Sequence, residues 1–136
     1  MMGNLDELFA LAKAAQAKAY VPYSHFKVGA AIATPEGDVF AGCNVENAAY
    51  PAGTCAEAGA IAAMVAGGRN QIQAILVIGD GPDLCTPCGA CRQRIREFAA
   101  QETPIVIAGP DGPRAHFTLA ALLPHSFGPE NLSSSK

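Results

Sequence analysis

The chain carries little charge, and its small excess is acidic. Only 15% of its 136 residues are Asp, Glu, Lys or Arg, and nine Lys plus Arg face 12 Asp plus Glu, a formal net charge of −3. A polynucleotide binder presents a basic face, so this balance argues against nucleic acid and for a small, neutral or cationic metabolite. No apolar run approaches the roughly 20 residues of a membrane span. Met1 to Leu11 holds acidic residues and lacks the cationic start of a signal peptide, which reads as a cytoplasmic protein. The even cysteine count of a disulfide framework is also missing. The five cysteines are Cys43, Cys55, Cys85, Cys88 and Cys91, and the last three fall within seven positions. Such clustering points to metal binding in a reducing compartment. Half the residues are apolar, as expected for one folded domain with one core.

What is present centres on Cys55-Ala56-Glu57 and Pro87-Cys88-Gly89-Ala90-Cys91. Three thiols can hold one zinc and leave its fourth position open, as catalytic zinc sites do and closed structural sites do not. The carboxylate of Glu57, two residues past the first thiol, is placed to handle the protons of an activated water. A ligand-x-Glu segment followed by Pro-Cys-x-x-Cys is the signature of zinc-dependent nucleobase deaminases, here with Cys in place of His. Two plainer readings compete. Cys85, Cys88 and Cys91 recur at intervals of three, so Cys85 is a candidate fourth ligand of a closed structural zinc. Thr54-x-x-Glu57 is also a capping box, in which Glu57 serves only the helix start.

Periodicity and turn chemistry give the order αββαβαββα. A first helix with an Asn4–Glu7 capping box and Leu5, Leu8, Phe9 and Ala12 on its apolar face runs to about Tyr20. Strands follow at His25–Thr34, with Phe26, Val28, Ala30 and Ile32 on one face, and at Val39–Asn44. Val45–Gly53 reads as loop. A second helix starts from the cap Thr54 and ends near Gly67-Gly68. Ile72–Ile78 suits a buried strand, and Pro87 opens a third helix reaching about Ala100. Strands at Pro104–Ala108 and Pro113–Phe117 and a short helix capped by Thr118 complete the order. Both halves of the cysteine motif thus fall at helix starts, where free N–H groups favour thiolates. Three thiolates and Zn²⁺ leave a formal charge of −1, and Arg92 is the adjacent candidate to offset it.

Longer segments make the chain recognisable. Tyr20 to Ala31 (YVPYSHFKVGAA), Gly42 to Tyr50 (GCNVENAAY), Pro87 to Gln93 (PCGACRQ) and Leu122-Leu123-Pro124 with Phe127 resemble the small, homotetrameric cytidine deaminases, over nearly the whole chain. The resemblance implies a three-layer α/β/α fold with a mixed five-stranded sheet, spanning residues 1–128 and followed by a frayed tail at 129–136. It implies one Zn²⁺ per subunit on Cys55, Cys88 and Cys91, with Glu57 as proton shuttle, in the hydrolysis of cytidine or deoxycytidine to the uridine form plus ammonia. It assigns Asn44 and Glu46 to the ribose hydroxyl, Phe26 to packing on the base, and the Ala56 backbone to the base. Phe127 is assigned to closing a neighbouring subunit's pocket in a tetramer with shared active sites.

One departure bears on the zinc. Ala58 stands where many relatives carry an Arg that hydrogen-bonds the thiolates, so the sequence assigns that load to Arg92, with Arg94 second. Otherwise Arg92, Arg94 and Arg96 read mostly as a solvated helix face, Cys85 as a bystander, and His25, His116 and His125 as core or surface residues. Tyr50 lies near a segment the family uses at subunit contacts, though packing would explain it equally. Competing functions are deamination of a modified nucleoside such as blasticidin S, polynucleotide editing, and a structural zinc module. A mean hydropathy of +0.19 in so small a chain also points to apolar surface buried between subunits.

Overall fold

The computed structural model describes residues 5–132. Its elements are α1 (Leu5–Ala17), β1 (Val28–Ala33), β2 (Val39–Cys43), α2 (Ala56–Ala66), β3 (Ala74–Gly79), α3 (Gly89–Phe98), β4 (Pro104–Gly109), β5 (Gly112–Thr118) and α4 (Leu119–Leu122). The strands form one sheet in the order β2-β1-β3-β4-β5. Only β3 and β4 run parallel; the other neighbours are antiparallel. This is the mixed five-stranded sheet expected.

Alternation along the three inner strands builds two cores. Ala30, Ile32, Ile75, Val77, Ile105 and Ile107 face one way, against Ala60, Ile61 and Met64 of α2 and Ile95 of α3. Ala31, Ala33, Leu76, Ile78, Val106 and Ala108 face the other way, against Leu8 and Ala12 of α1. Strands covered on both faces read as near-continuous apolar runs, which is why Ile75 to Ile78 shows no alternation. Helices on both faces of the sheet make three layers.

Small residues set the distance between α2 and the sheet. A Cβ on Gly42 of β2 would meet Ala56 O of α2 at 2.7 Å and Gly59 C at 2.7 Å. The α2 backbone therefore lies directly on β2, and its N-terminal end sits over the sheet's edge.

Several expected boundaries shift. The first helix ends at Ala17 rather than Tyr20, because Tyr20 N donates to Asn44 O (3.1 Å) and its O accepts from Glu46 N (2.9 Å). The first strand begins at Val28, not His25; His25 itself takes a positive φ of 59°. Phe26 therefore precedes the strand and is 39% exposed, rather than continuing the face of Val28, Ala30 and Ile32. Within Val45–Gly53, Tyr50–Ala52 forms a 3-10 turn. Thr118 caps α4 as expected, its side chain accepting from Ala121 N. Beyond Gly128, Pro129–Asn131 forms another 3-10 turn where the sequence predicts a frayed tail. Asn4 of the predicted capping box and residues 133–136 lie outside the described residues.

Candidate active site

The N-termini of α2 and α3 meet at one end of the sheet and carry the three thiols. Cys55 is the residue before α2 and Cys88 the residue before α3, both with extended backbone. The sequence predicts Thr54 as the α2 cap; instead Thr54 is held in a two-way bridge, its N donating to Val45 O (2.9 Å) and its O accepting from Val45 N (3.0 Å). The capping-box reading of Glu57 falls with it. Pro87 likewise lies just outside α3 rather than in its first turn.

The Sγ atoms of Cys55, Cys88 and Cys91 all lie within 4.8 Å of one another. Sulfurs that share one tetrahedral zinc at bonds of about 2.3 Å stand roughly 3.8 Å apart, so a cluster inside this limit needs little or no movement to close on the ion, and soft thiolate donors suit zinc. The residues present fit one zinc. Cys85 stands outside this group among the described residues and packs instead against Gly79, where a Cβ would come 2.6 Å from its sulfur. A four-thiol group that includes Cys85 is therefore not formed among the described residues.

Electrostatics differ among the thiols. Backbone N–H groups at the α3 start, that of Cys91 foremost, hold the Cys88 thiol below its ordinary pKa. Burial pushes Cys55 and Cys91 up, and burial with the nearby Glu57 carboxylate lifts Cys85 to about 11. Glu57, on the first turn of α2, is only 4% exposed. Burial raises its carboxyl pKa, with Cys91 and the Arg94 charge acting in the opposite sense. Desolvation of this kind favours the protonated carboxyl and moves the group toward the range in which a general acid–base works.

A cavity of about 620 Å³ opens over this cluster, and its lining includes Cys55, Ala56, Glu57 and Cys88 together with Asn44, Glu46 and Tyr50. Segment 44–46 is zipped between Tyr20 and Thr54 by backbone bonds on both sides, which fixes these two side chains at the wall. Asn44 donates from Nδ2 to Phe26 O and accepts at Oδ1 from Val28 N, both at 2.9 Å. Glu46 accepts from Tyr23 N (3.0 Å) and Ser24 N (3.1 Å) at Oε1, and from Ser24 Oγ at Oε2. Ser24 is the first cause of the lowered Glu46 pKa. An amide and a carboxylate so engaged each retain bonding capacity for a further polar group.

Phe26 and Phe127 do not line this cavity. The Phe26 ring lies against β3's end, where a Cβ on Gly79 would come within 3.4 Å of it. Phe127 is 57% exposed and is held through its carbonyl, which accepts from Gln93 Nε2 (2.8 Å).

Two of the three arginines of α3, Arg92 and Arg96, are held by the protein rather than solvated, while Arg94 is exposed. Arg92 donates to Pro87 O (2.7 Å), Leu122 O (2.9 Å) and Thr86 Oγ1 (3.3 Å), so it ties down the segment before Cys88 and makes no thiol contact. Arg96 is buried and donates to Ser126 Oγ (2.8 Å) and Glu130 Oε1 (2.9 Å), pinning the C-terminal segment. The cation that touches a ligand sulfur is Arg94, whose Nη1 lies 3.4 Å from Cys91 Sγ. The sequence's preference for Arg92 in that role is corrected.

Known proteins bear out this architecture. Residues 2–107 match the family described as the cytidine and deoxycytidylate deaminase zinc-binding region. Cytidine deaminase of Sporosarcina psychrophila is 41% identical over 130 residues, covering 96% of each chain. The crystal structure of cytidine deaminase from Burkholderia pseudomallei superposes with a TM-score of 0.84 at 43% identity, over 90% of this chain and 98% of that one. That from Mycobacterium tuberculosis gives 0.77 at 39%, over 90% and 96%. With its three-thiol cluster at paired helix starts and these similarities along nearly its full length, the chain belongs to the cytidine and deoxycytidylate deaminase family.

Proposed function

We propose that the protein hydrolyses cytidine and deoxycytidine to uridine and deoxyuridine, with water consumed and ammonia released. The observation that carries this reading is the buried Glu57 carboxyl beside three convergent thiols, with Glu57, Cys55 and Cys88 lining a cavity of about 620 Å³. Cys55, Cys88 and Cys91 hold zinc, which when bound supplies the Lewis acidity that makes water a nucleophile near neutral pH. Glu57 moves the protons. It takes one from the attacking water and delivers it to N3 of the pyrimidine. It then takes the proton of the new C4 hydroxyl and passes it to the amino nitrogen, which leaves as ammonia when the C4–N bond breaks. The Ala56 backbone, at the cavity wall, orients the base.

Asn44 and Glu46 hold a ribose hydroxyl, the amide donating and the carboxylate accepting. Phe26 packs on the base. Phe127, exposed and outside its own cavity, closes the cavity of a neighbouring subunit in a homotetramer with shared active sites. Residues 1–128 form the catalytic domain. The protein works in the cytoplasm, in pyrimidine salvage, on free nucleosides and not on nucleic acid.

The test is incubation of the zinc-loaded protein with cytidine and with deoxycytidine, measuring uridine and deoxyuridine chromatographically together with free ammonia. Equimolar nucleoside product and ammonia are expected. A folded, zinc-loaded protein that converts neither nucleoside would overturn the assignment.

A further inference from the structure

Arg94 lies three residues after Cys91, on the same face of α3, and its guanidinium reaches the Cys91 sulfur at 3.4 Å. Neither neighbouring arginine does so: Arg92 is taken up by Pro87, Thr86 and Leu122, and Arg96 by Ser126 and Glu130. Arg94 is exposed at the surface, so burial is not what places it against the sulfur.

The charge of the cluster gives that contact a consequence. Three thiolates around a divalent zinc carry a net charge of −1, and Ala58, the residue after Glu57, adds none. The N-terminal ends of α2 and α3 contribute partial charges of roughly +0.5 each. Among the described residues, Arg94 is the full cation hydrogen-bonded to a sulfur of the cluster. We propose that Arg94 is a positioning residue of the zinc site, whose guanidinium disperses the thiolate charge on Cys91 and holds that sulfur toward the metal. The proposal rests on the zinc reading of the three thiols and is independent of which base is deaminated.

The test equilibrates zinc-loaded protein with a chromophoric chelator and records the thiolate-to-metal charge-transfer band of the cobalt(II)-exchanged form. The parent, Arg94→Ala, Arg94→Gln and Arg94→Lys are compared, with circular dichroism reporting folding. The alanine and glutamine variants are expected to lose about tenfold or more in zinc affinity, the range seen when partners of metal ligands are removed. The alanine variant's cobalt band is expected to move to longer wavelength, because a thiolate without its hydrogen bond gives up charge more readily. Arg94→Lys, which restores the cation, is expected to keep most of the affinity. Folded alanine or glutamine variants with parental affinity, or an alanine variant with an unshifted band, would overturn this proposal alone. A parent protein that binds no zinc would overturn it together with the zinc reading.

Discussion

At the scale of single residues, Glu46 and Arg92 hold the site through different chemistry. Glu46 ties the Tyr23–Ser24 turn to the cavity wall, with Ser24 the chief cause of its lowered pKa. A carboxylate with a depressed folded pKa contributes stability above its unfolded value of about 4.3, and that contribution is lost as pH falls through the lower folded value. Ser24→Ala is therefore expected to move the Glu46 titration midpoint upward, read from its side-chain carbon shift by NMR; an unmoved midpoint would contradict the assignment. Arg92→Ala strips donors from two carbonyls and a hydroxyl and is expected to cost about 1–3 kcal/mol in urea unfolding. The grouping of Cys55, Cys88 and Cys91, with Glu57 on the first turn of α2, was legible in the sequence because thiols that share one metal recur in recognisable spacing. The partition of work among the arginines was not. Adjacency in the chain favours Arg92, but successive helical residues point about 100° apart, whereas positions three apart share a face. Arg94 follows Cys91 by three.

At the scale of elements, the site depends on how closely α2 lies on the sheet. Gly42 leaves no room for a side chain beneath Ala56 and Gly59, so Gly42→Ala must lift the helix start that carries Cys55 and Glu57. The expected loss is about 2–3 kcal/mol of stability in denaturant titration, accompanied by weaker zinc retention; a neutral effect would mean the helix rides freely over β2. Strand and helix identities came through in the sequence because β1, β3 and β4 are continuous apolar runs and α1 keeps Leu8 and Ala12 on one buried face. Their ends did not, wherever a distant segment competes for the backbone. Tyr20 pairs with Asn44 and Glu46 instead of prolonging α1, and Thr54 pairs with Val45 instead of capping α2. No local propensity records such long-range bridges. The turn at Pro129–Asn131 is a similar case, since it follows a segment pinned by Arg96 of α3.

At the scale of the whole molecule, one chain leaves apolar surface uncovered, part of it on the cavity wall at Tyr23, Val45 and Tyr50. Tyr20, Tyr23, Val45, Tyr50 and Phe127 are each more than 45% exposed, a concentration that fits burial between subunits. Light scattering at micromolar concentration is expected to give a mass near four times the 13.9 kDa chain, and a monomer would contradict the shared-site arrangement. The proposed assembly was legible in the sequence only through apolar composition and family resemblance, because Tyr50 and Phe127 find no cover within a single chain. The central claim, however, concerns one carboxylate beside three thiols. Its most direct test is Glu57→Gln, assayed for cytidine turnover and zinc content in the same preparation. The account predicts about one zinc per chain, as in the parent, with turnover lowered by about 10²–10⁴-fold. Parental turnover in the variant, or zinc lost along with the carboxylate, would contradict it.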